Sequence, residues 1–222
     1  MNGVFEGLSN EKKQRIIDAC MEEFGLNGYE RASTNSIVKK AGISKGALFN
    51  YFGNKKNLFL YLFDFSIEGL TNNYIEVKDT QPTDLFERFV WYSLLKIKVY
   101  LKEPSMSRLV VSAVTNIPEE LKEDIEERVN SLYANHVPWL FEDLDISNFK
   151  EGVDPQKALK LVSIFIEGIF NKYLKTYKDR PADEIFNEIE KIIKEYNEYL
   201  EMLKYGIYKS PIAHIQGMAE KL

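Results

Sequence analysis

Side chains that could perform catalysis or bind a metal are few in this sequence and widely separated. The 222 residues contain two histidines, His136 and His214, and one cysteine, Cys20. A protein zinc site needs several His, Cys or carboxylate ligands at short characteristic spacings, and neither histidine belongs to such a cluster. Cys20 lies in an apolar stripe without a nearby histidine, so we interpret it as a small hydrophobic residue. The sequence also lacks phosphate-binding glycine motifs and a nucleophile elbow. It therefore predicts no enzyme, no metal site and no cofactor.

The segment from residue 33 to residue 55 instead carries groups suited to binding an anionic polymer. Lys45 and Lys55 each stand near the start of a predicted helix, where they can neutralise phosphates. Helix N-termini at Thr34 and Asn54 present backbone N–H groups to the same kind of ligand. Small and polar residues between the lysines let a helix lie deep in a DNA major groove. By composition alone, an ordinary helical hairpin with surface lysines explains the segment equally well.

Two short helices are predicted to position these groups. Ser33 or Thr34 can cap the first helix, which ends at Gly42, and Ser44 can cap the second, which runs to about Phe52. A sharp turn with Gly42 beside the small Ala41 lets the helices approach closely. The apolar side chains predicted to fill the angle between them are Ile37, Ile43, Leu48 and Phe52. This pattern is typical of a helix-turn-helix.

The rest of the chain is also predicted to be helical. Apolar residues recur every three or four positions, and sustained alternation typical of strands is absent. We expect about nine helices in all. Their approximate ranges are 10–24, with Gly25 and Gly28 as breakers, 34–41, 45–52, 55–77, 84–101, 106–115, 118–136, 155–178 and 183–205. The sequence thus predicts an all-α protein.

The N-terminal segment resembles the DNA-binding domain of TetR-family transcriptional regulators. The resemblance covers about the first 60 residues and depends on many positions at fixed spacing. These are Phe24, Gly28-Tyr29, Ser33-Thr34, Ile37, Ala41-Gly42-Ile43-Ser44-Lys45-Gly46, Leu48, Tyr51-Phe52, Asn54-Lys55 and Leu58. It implies a three-helix DNA-binding domain at residues 1–55, followed by a helical ligand-binding and dimerisation domain at residues 56–222.

The resemblance also implies which residues contact double-stranded DNA. The predicted set is Thr34, Ser44, Lys45, Gly46, Ala47, Phe49, Asn50, Tyr51 and Lys55. Thr34, Lys45, Tyr51 and Lys55 match positions that contact the DNA backbone in the family. Three other positions depart from the family pattern. Ala47 removes a frequent hydroxyl, Phe49 replaces a common tyrosine, and Asn50 replaces a common histidine but can pair with adenine. The sequence of the operator, which we expect to be pseudo-palindromic, therefore cannot be borrowed from the family.

The two C-terminal helices are predicted to form a homodimer interface. Their apolar residues recur at helical spacing, and residues 159–174 are apolar around most of the helix, which indicates burial on several sides. The predicted interface consists of Phe165, Ile169, Ile185, Ile189, Ile192, Tyr196, Tyr199 and Leu203. Periodicity alone leaves an internal core as the alternative, whereas the resemblance implies a dimer.

A small hydrophobic effector is the second partner that the resemblance implies. Aromatic residues are dense between residues 60 and 180, which is compatible with either a core or a pocket. We predict that Trp91, Tyr92, Phe165 and Phe170 line the pocket.

Composition and charge fit this prediction. Residues 1–60 carry nine Lys/Arg against six Asp/Glu, whereas the rest carries twenty against twenty-eight. Apolar runs are too short to cross a membrane, so we expect a cytoplasmic protein without membrane contact. The predicted function is sequence-specific DNA binding that represses transcription and is relieved by the effector. A ligand-independent DNA-binding regulator and a helical scaffold or interaction protein are the alternatives.

Overall fold

The computed structural model describes residues 3–136, 138–177, 180 and 182–208. The regular structure in this part of the chain is helical, apart from one isolated bridge between Phe149 and Tyr208. The helices are α1 (Gly3–Glu6), α2 (Asn10–Arg31), α3 (Thr34–Ala41), α4 (Lys45–Phe52), α5 (Lys55–Ile75), α6 (Leu85–Lys102), α7 (Pro104–Thr115), α8 (Lys122–His136), α9 (Pro155–Thr176), α10 (Ala182–Asn187) and α11 (Ile189–Ile207). Short 3₁₀ turns precede α6 and flank α8. The predicted all-α class is confirmed.

Most helix boundaries follow local signals that the sequence displays. Asp84 caps α6 and Asp154 caps α9, each through a side-chain oxygen that accepts backbone N–H groups of the first turn. Pro104 and Pro155 stand in the first turns of α7 and α9, where proline costs no hydrogen bond.

Two helix predictions were wrong, and one helix was not predicted. The first predicted helix continues past Phe24 and is kinked at Gly28, at φ 64° and ψ 179°, before it ends at Arg31, so the predicted break at Gly28 is confirmed. Gly25 stays helical beside α7, where a Cβ would lie 3.7 Å from Cβ of Arg108. The last predicted helix is divided into α10 and α11, and α1 was not predicted.

Two hydrophobic cores organise the chain. The head core is formed by α1–α5 together with α7 and the start of α8, and its buried members include Phe5, Ile37, Leu48, Phe63, Leu109 and Ile125. The body core joins α6, α9 and α11, with Leu85, Phe89, Val162 and Leu200 among its buried members. The head core extends past residue 55, because α5 and α7 pack against the helix-turn-helix. The domain boundary placed at residue 55 stays a prediction.

Candidate nucleic-acid interface

Three serine and asparagine side chains fix the starts of the helices at the predicted DNA-binding surface. Ser33 Oγ accepts a hydrogen bond from the Ser36 N–H at 3.4 Å, and Ser44 Oγ accepts one from the Ala47 N–H at 3.1 Å. Asn54 Oδ1 accepts the Asn57 N–H at 2.7 Å at the start of α5. Each cap satisfies one of the backbone donors that a helix start leaves unpaired. Ser33, rather than Thr34, is therefore the cap of α3.

The turn between α3 and α4 has the geometry that the sequence predicted. Gly42 adopts a left-handed conformation, at φ 64° and ψ 39°, and its N–H donates to the Val38 carbonyl. The Ile43 N–H donates to the same carbonyl at 3.1 Å, which closes the helix end. Arg15 Nε donates to the Ala41 carbonyl at 3.0 Å and ties the turn to α2.

Burial separates the two faces of α4. Leu48 is fully buried in the head core, where it packs with Ile37 and Ala41 of α3. On the opposite face Ser44, Lys45, Gly46 and Asn50 are exposed, and Ala47 and Phe49 are half-buried at its margins. The exposed residues begin at the N-terminus of α4, the end that enters a major groove in helix-turn-helix proteins. The structure therefore brings six of the predicted DNA-binding residues together on one surface.

Tyr51 has a different environment from the other predicted contacts. Only 7% of it is exposed. Its ring lies 5.7 Å from the ring of Phe5 in α1, and Phe5 lies 4.8 Å from the ring of Phe52. Helix α1 therefore supports α4 from behind. This contact was not predicted, although the apolar pair Phe5 and Leu8 at a three-residue spacing indicates a buried turn.

Lys55 and Thr34 flank this surface. Thr34 is half-buried at the first position of α3. Lys55 Nζ donates to the Glu30 carbonyl at 3.2 Å and lies 4.9 Å from the centre of the Tyr29 ring. Lys55 is therefore held against the end of α2, whereas Lys45 is exposed at the start of α4.

Two ion pairs connect α5 to α8. Lys56 Nζ lies 2.8 Å from Asp124 Oδ2, and Arg128 Nε lies 2.7 Å from Asp64 Oδ1. The hydrogen bond from Lys56 lowers the pKa of Asp124. Burial and a hydrogen bond with Glu120 raise the pKa of Tyr29. Lys56 follows Lys55 at the start of α5, whereas Asp64 lies near the middle of this helix.

The predicted dimer residues are divided between the inside and the surface of the chain. The Phe165 ring lies 6.3 Å from Tyr196 and 6.1 Å from Tyr199, so these three residues connect α9 to α11 within one chain. Ile185 is buried, and Ile169, Ile189, Ile192 and Leu203 are half-buried. The most exposed large apolar residues of the two helices were not predicted. They are Leu161 and Ile164 on α9 and Met202 and Tyr205 on α11.

Two of the predicted pocket residues, Tyr92 and Phe165, lie near the same residue, Tyr196 of α11. Phe165 stacks on Tyr196, and Tyr92 is close enough to contribute to raising the pKa of the Tyr196 hydroxyl, after burial as the main cause. Trp91 is half-buried on α6 and, one residue before Tyr92, points about 100° away around the helix. The side chain of Phe170 lies outside the described residues.

Within the described residues, no group of three or more His, Cys, Asp or Glu side chains has the geometry of a metal site. The same part of the chain contains no helix long and apolar enough to cross a membrane. Burial raises the pKa of the Cys20 thiol to about 12, so the thiol stays protonated at neutral pH. His214 lies outside the described residues.

The N-terminal region matches a known family model. Residues 16–62 match the model of the bacterial regulatory proteins of the tetR family. The HTH-type transcriptional regulator YuxN of Bacillus subtilis is 25% identical over 207 residues, which cover 85% of this chain and 65% of YuxN. This chain thus spans slightly less than two thirds of that relative.

Solved structures share the fold over nearly the whole chain. A TetR family transcriptional regulator from Chloroflexus aurantiacus superimposes with a TM-score of 0.56 and 23% identity, covering 94% of this chain and 99% of that one. NalD of Pseudomonas aeruginosa, described as the secondary repressor of the MexAB-OprM multidrug efflux pump, superimposes with a TM-score of 0.53 and 20% identity, covering 90% and 98%. The described helices after α4 therefore have the arrangement found in those regulators.

Proposed function

We propose that this chain, a transcriptional regulator of the TetR family, represses transcription as a cytoplasmic homodimer and leaves its operator when a small molecule enters the body. The observation that carries DNA binding is the exposed face of α4. It joins Lys45, a capped helix N-terminus and small polar side chains on one surface. NalD, which shares the fold, is a repressor, and this supports repression as the outcome of DNA binding.

The roles of individual residues in DNA binding follow from their positions. Lys45 and the N–H groups at the start of α4 contact phosphates, as do Thr34 and Lys55 at the flanks. Lys55 reaches a phosphate after its ammonium leaves the Glu30 carbonyl. Asn50 reads a base edge, for which adenine offers a bidentate partner, and Phe49 makes an apolar contact such as that with a thymine methyl.

Dimerisation supplies the second half of the DNA site. One short helix contacts few bases, whereas two α4 helices held about one DNA turn apart read a pseudo-palindrome. The exposed apolar side chains of α9 and α11 support an interface formed by these helices from two chains. In that arrangement Phe165, Tyr196 and Tyr199 support the interface from inside each chain.

The long helix α5 connects the two ends of the molecule. Its 21 residues span about 30 Å at 1.5 Å per residue. Lys55 begins α5 at the DNA-binding surface, and Tyr74 lies near its other end beside Tyr92 of α6, with ring centres 5.4 Å apart. A ligand bound beside Tyr74 releases DNA if it binds more tightly to the state in which α5 is displaced.

The test is a selection of bound sequences from random duplex DNA, followed by affinity measurements over a range of salt concentrations. We expect a selected site with two-fold symmetry. Replacing Lys45 by Ala removes two phosphate contacts per dimer, so the slope of log affinity against log salt decreases in magnitude by about 1.8. Lys98→Ala, on the exposed side of α6, is the control and keeps the wild-type slope.

Two results would contradict the proposed function. One is a wild-type protein that selects no common sequence and binds duplex DNA without salt dependence. The other is an unchanged salt slope in Lys45→Ala, which would remove this residue from the interface. Asn50→Ala is expected to relax preference at one base position per half-site while leaving the slope unchanged.

A further inference from the structure

Lys96 is a positively charged residue on the inward face of α6. Side chains three and four positions apart share one side of a helix. The residues on this side are Phe89, Tyr92, Lys96 and Val99. Phe89 and Val99 are both buried, so Lys96 lies between two positions that face the interior. Lys98, two residues further on, is exposed on the opposite side of the helix.

The surroundings of Lys96 indicate an internal space. Protein atoms crowd its amine so closely that burial lowers its pKa to about 8. By accessible surface the residue is nevertheless exposed, as Lys98 is. A side chain that faces inward, is crowded by protein and remains accessible borders a space within the body rather than the outer surface. Among the described residues, no carboxylate forms an ion pair with it.

Aromatic side chains from three further helices border the same region. Lys96 Nζ lies 4.5 Å from the centre of the Tyr92 ring, and the Tyr92 ring lies 5.4 Å from that of Tyr74 in α5. Tyr196 of α11 hydrogen-bonds with Ser93, the residue next to Tyr92, and its ring packs on Phe165 of α9. Aromatic rings, three of which carry hydroxyl groups, therefore line this region of the body, and Lys96 adds a positive charge to it.

We propose that the effector is an apolar molecule with a carboxylate head, and that the Lys96 ammonium is the counter-ion of this head inside the body. The inference rests on the proposed function, because it specifies the ligand of the same regulator. An ammonium crowded by protein, whose partner among the described residues is the Tyr92 ring, gains a charge-assisted hydrogen bond when a carboxylate enters. The aromatic walls accept the apolar remainder of the molecule.

The position of Tyr74 connects this site to DNA release. Tyr74 is near the C-terminal end of α5, whose first residue is Lys55. A ligand tail placed against the Tyr74 and Tyr92 rings presses on α5 at the end opposite the DNA-binding surface. The carboxylate on Lys96 fixes the ligand in the orientation that directs its tail to this contact.

The experiment compares matched acids and alcohols. The probes are octanoate, decanoate and dodecanoate, each paired with the primary alcohol of the same length, and binding to the full chain is measured by titration calorimetry at about pH 7. We expect the preferred acid to bind at least about tenfold more tightly than its alcohol, the ratio that one additional strong polar contact provides. Lys96→Met, which keeps most of the length of the side chain and removes its charge, brings the affinities for the acid and the alcohol together. Lys98→Met keeps the wild-type preference.

Each outcome decides the proposal. Equal affinities for acids and alcohols in the wild type, or no binding of any acid, would overturn it. A preference for the acid that survives in Lys96→Met would overturn it as well. DNA binding of the wild type without any probe is measured in parallel on the selected duplex. Its absence would contradict the proposed function, whereas intact DNA binding without an acid preference would contradict only the identity of the effector.

Discussion

Replacing Phe5 by Ala tests whether α1 is an essential part of the DNA-binding surface. Phe5 is fully buried. Its ring lies 4.8 Å from Phe52 and 5.7 Å from both Tyr51 and Tyr61. The perturbation therefore removes the central ring of an aromatic cluster that joins α1, α4 and α5.

The expected loss of stability is about 3 kcal/mol. Truncation of a buried phenylalanine to alanine costs about 3–5 kcal/mol, and aromatic pairs contribute about 0.5–1.5 kcal/mol each beyond the area they bury. We expect the lower end of the range because α1 has four residues and can shift to reduce the cavity. The cavity lies directly behind Tyr51, so α4 loses support and affinity for DNA decreases together with stability.

The assay is urea unfolding followed by circular dichroism, combined with DNA-binding measurements on the same preparations. Val4→Ala is the matched control, because Val4 is the neighbouring residue of α1 and is 48% exposed. We expect this control to change the free energy of unfolding by less than about 0.5 kcal/mol. The loss of stability in Phe5→Leu, which keeps most of the side-chain volume, should lie between the losses in Val4→Ala and Phe5→Ala. A loss below about 1 kcal/mol in Phe5→Ala would refute the reasoning that α1 is packed as described.

Three further predictions concern the turn, the body and the dimer. Gly42→Ala should reduce stability by about 1–2 kcal/mol, because Gly42 has φ 64°. Gly46→Ala, at a helical position, should instead increase stability by up to about 1 kcal/mol and weaken DNA binding, and equal effects of the two substitutions in urea unfolding would contradict this prediction. The pKa of Lys96 is about 8 in the folded chain against an ordinary 10.5, so the unfolded chain retains this proton at higher pH and the free energy of unfolding should rise between about pH 8 and pH 10.5. A rise of the same size in Lys96→Met, measured in urea titrations, would refute Lys96 as its source. Ile164→Glu, at a side chain 57% exposed on α9, should convert a dimer to a monomer in sedimentation measurements, whereas Leu101→Glu, at a side chain 70% exposed on α6, should leave it a dimer.

Local chemistry made the DNA-binding head predictable from sequence. The side chains of Ser33, Ser44 and Asn54 cap helices within three residues of their own positions. Glycine is one of the few residue types that tolerate a left-handed conformation, so Gly42 marks the end of α3. These features involve neighbours in the sequence, and the family model matches the same region.

Helical periodicity also indicated which residues face inward, but it did not identify what covers them. Phe165 and Tyr196 were predicted at a dimer interface, and their rings meet each other within the chain. Leu161 and Ile164 belong to the same apolar helix and remain exposed. An apolar stripe has the same pattern whether its cover is the same chain or a second one, so the choice depends on how distant helices pack.

The sequence by itself determined the all-helical class, the helix-turn-helix and the exposed face of α4, because caps, a glycine turn and apolar spacing act over a few residues. The tertiary structure alone decided that Phe5 supports Tyr51 and that Lys55 is held at the Glu30 carbonyl. It also decided that Lys96 lies between buried residues beside an aromatic ring. Each of these contacts joins helices far apart in sequence, and their relative placement comes from the packing of two complete cores rather than from any local pattern.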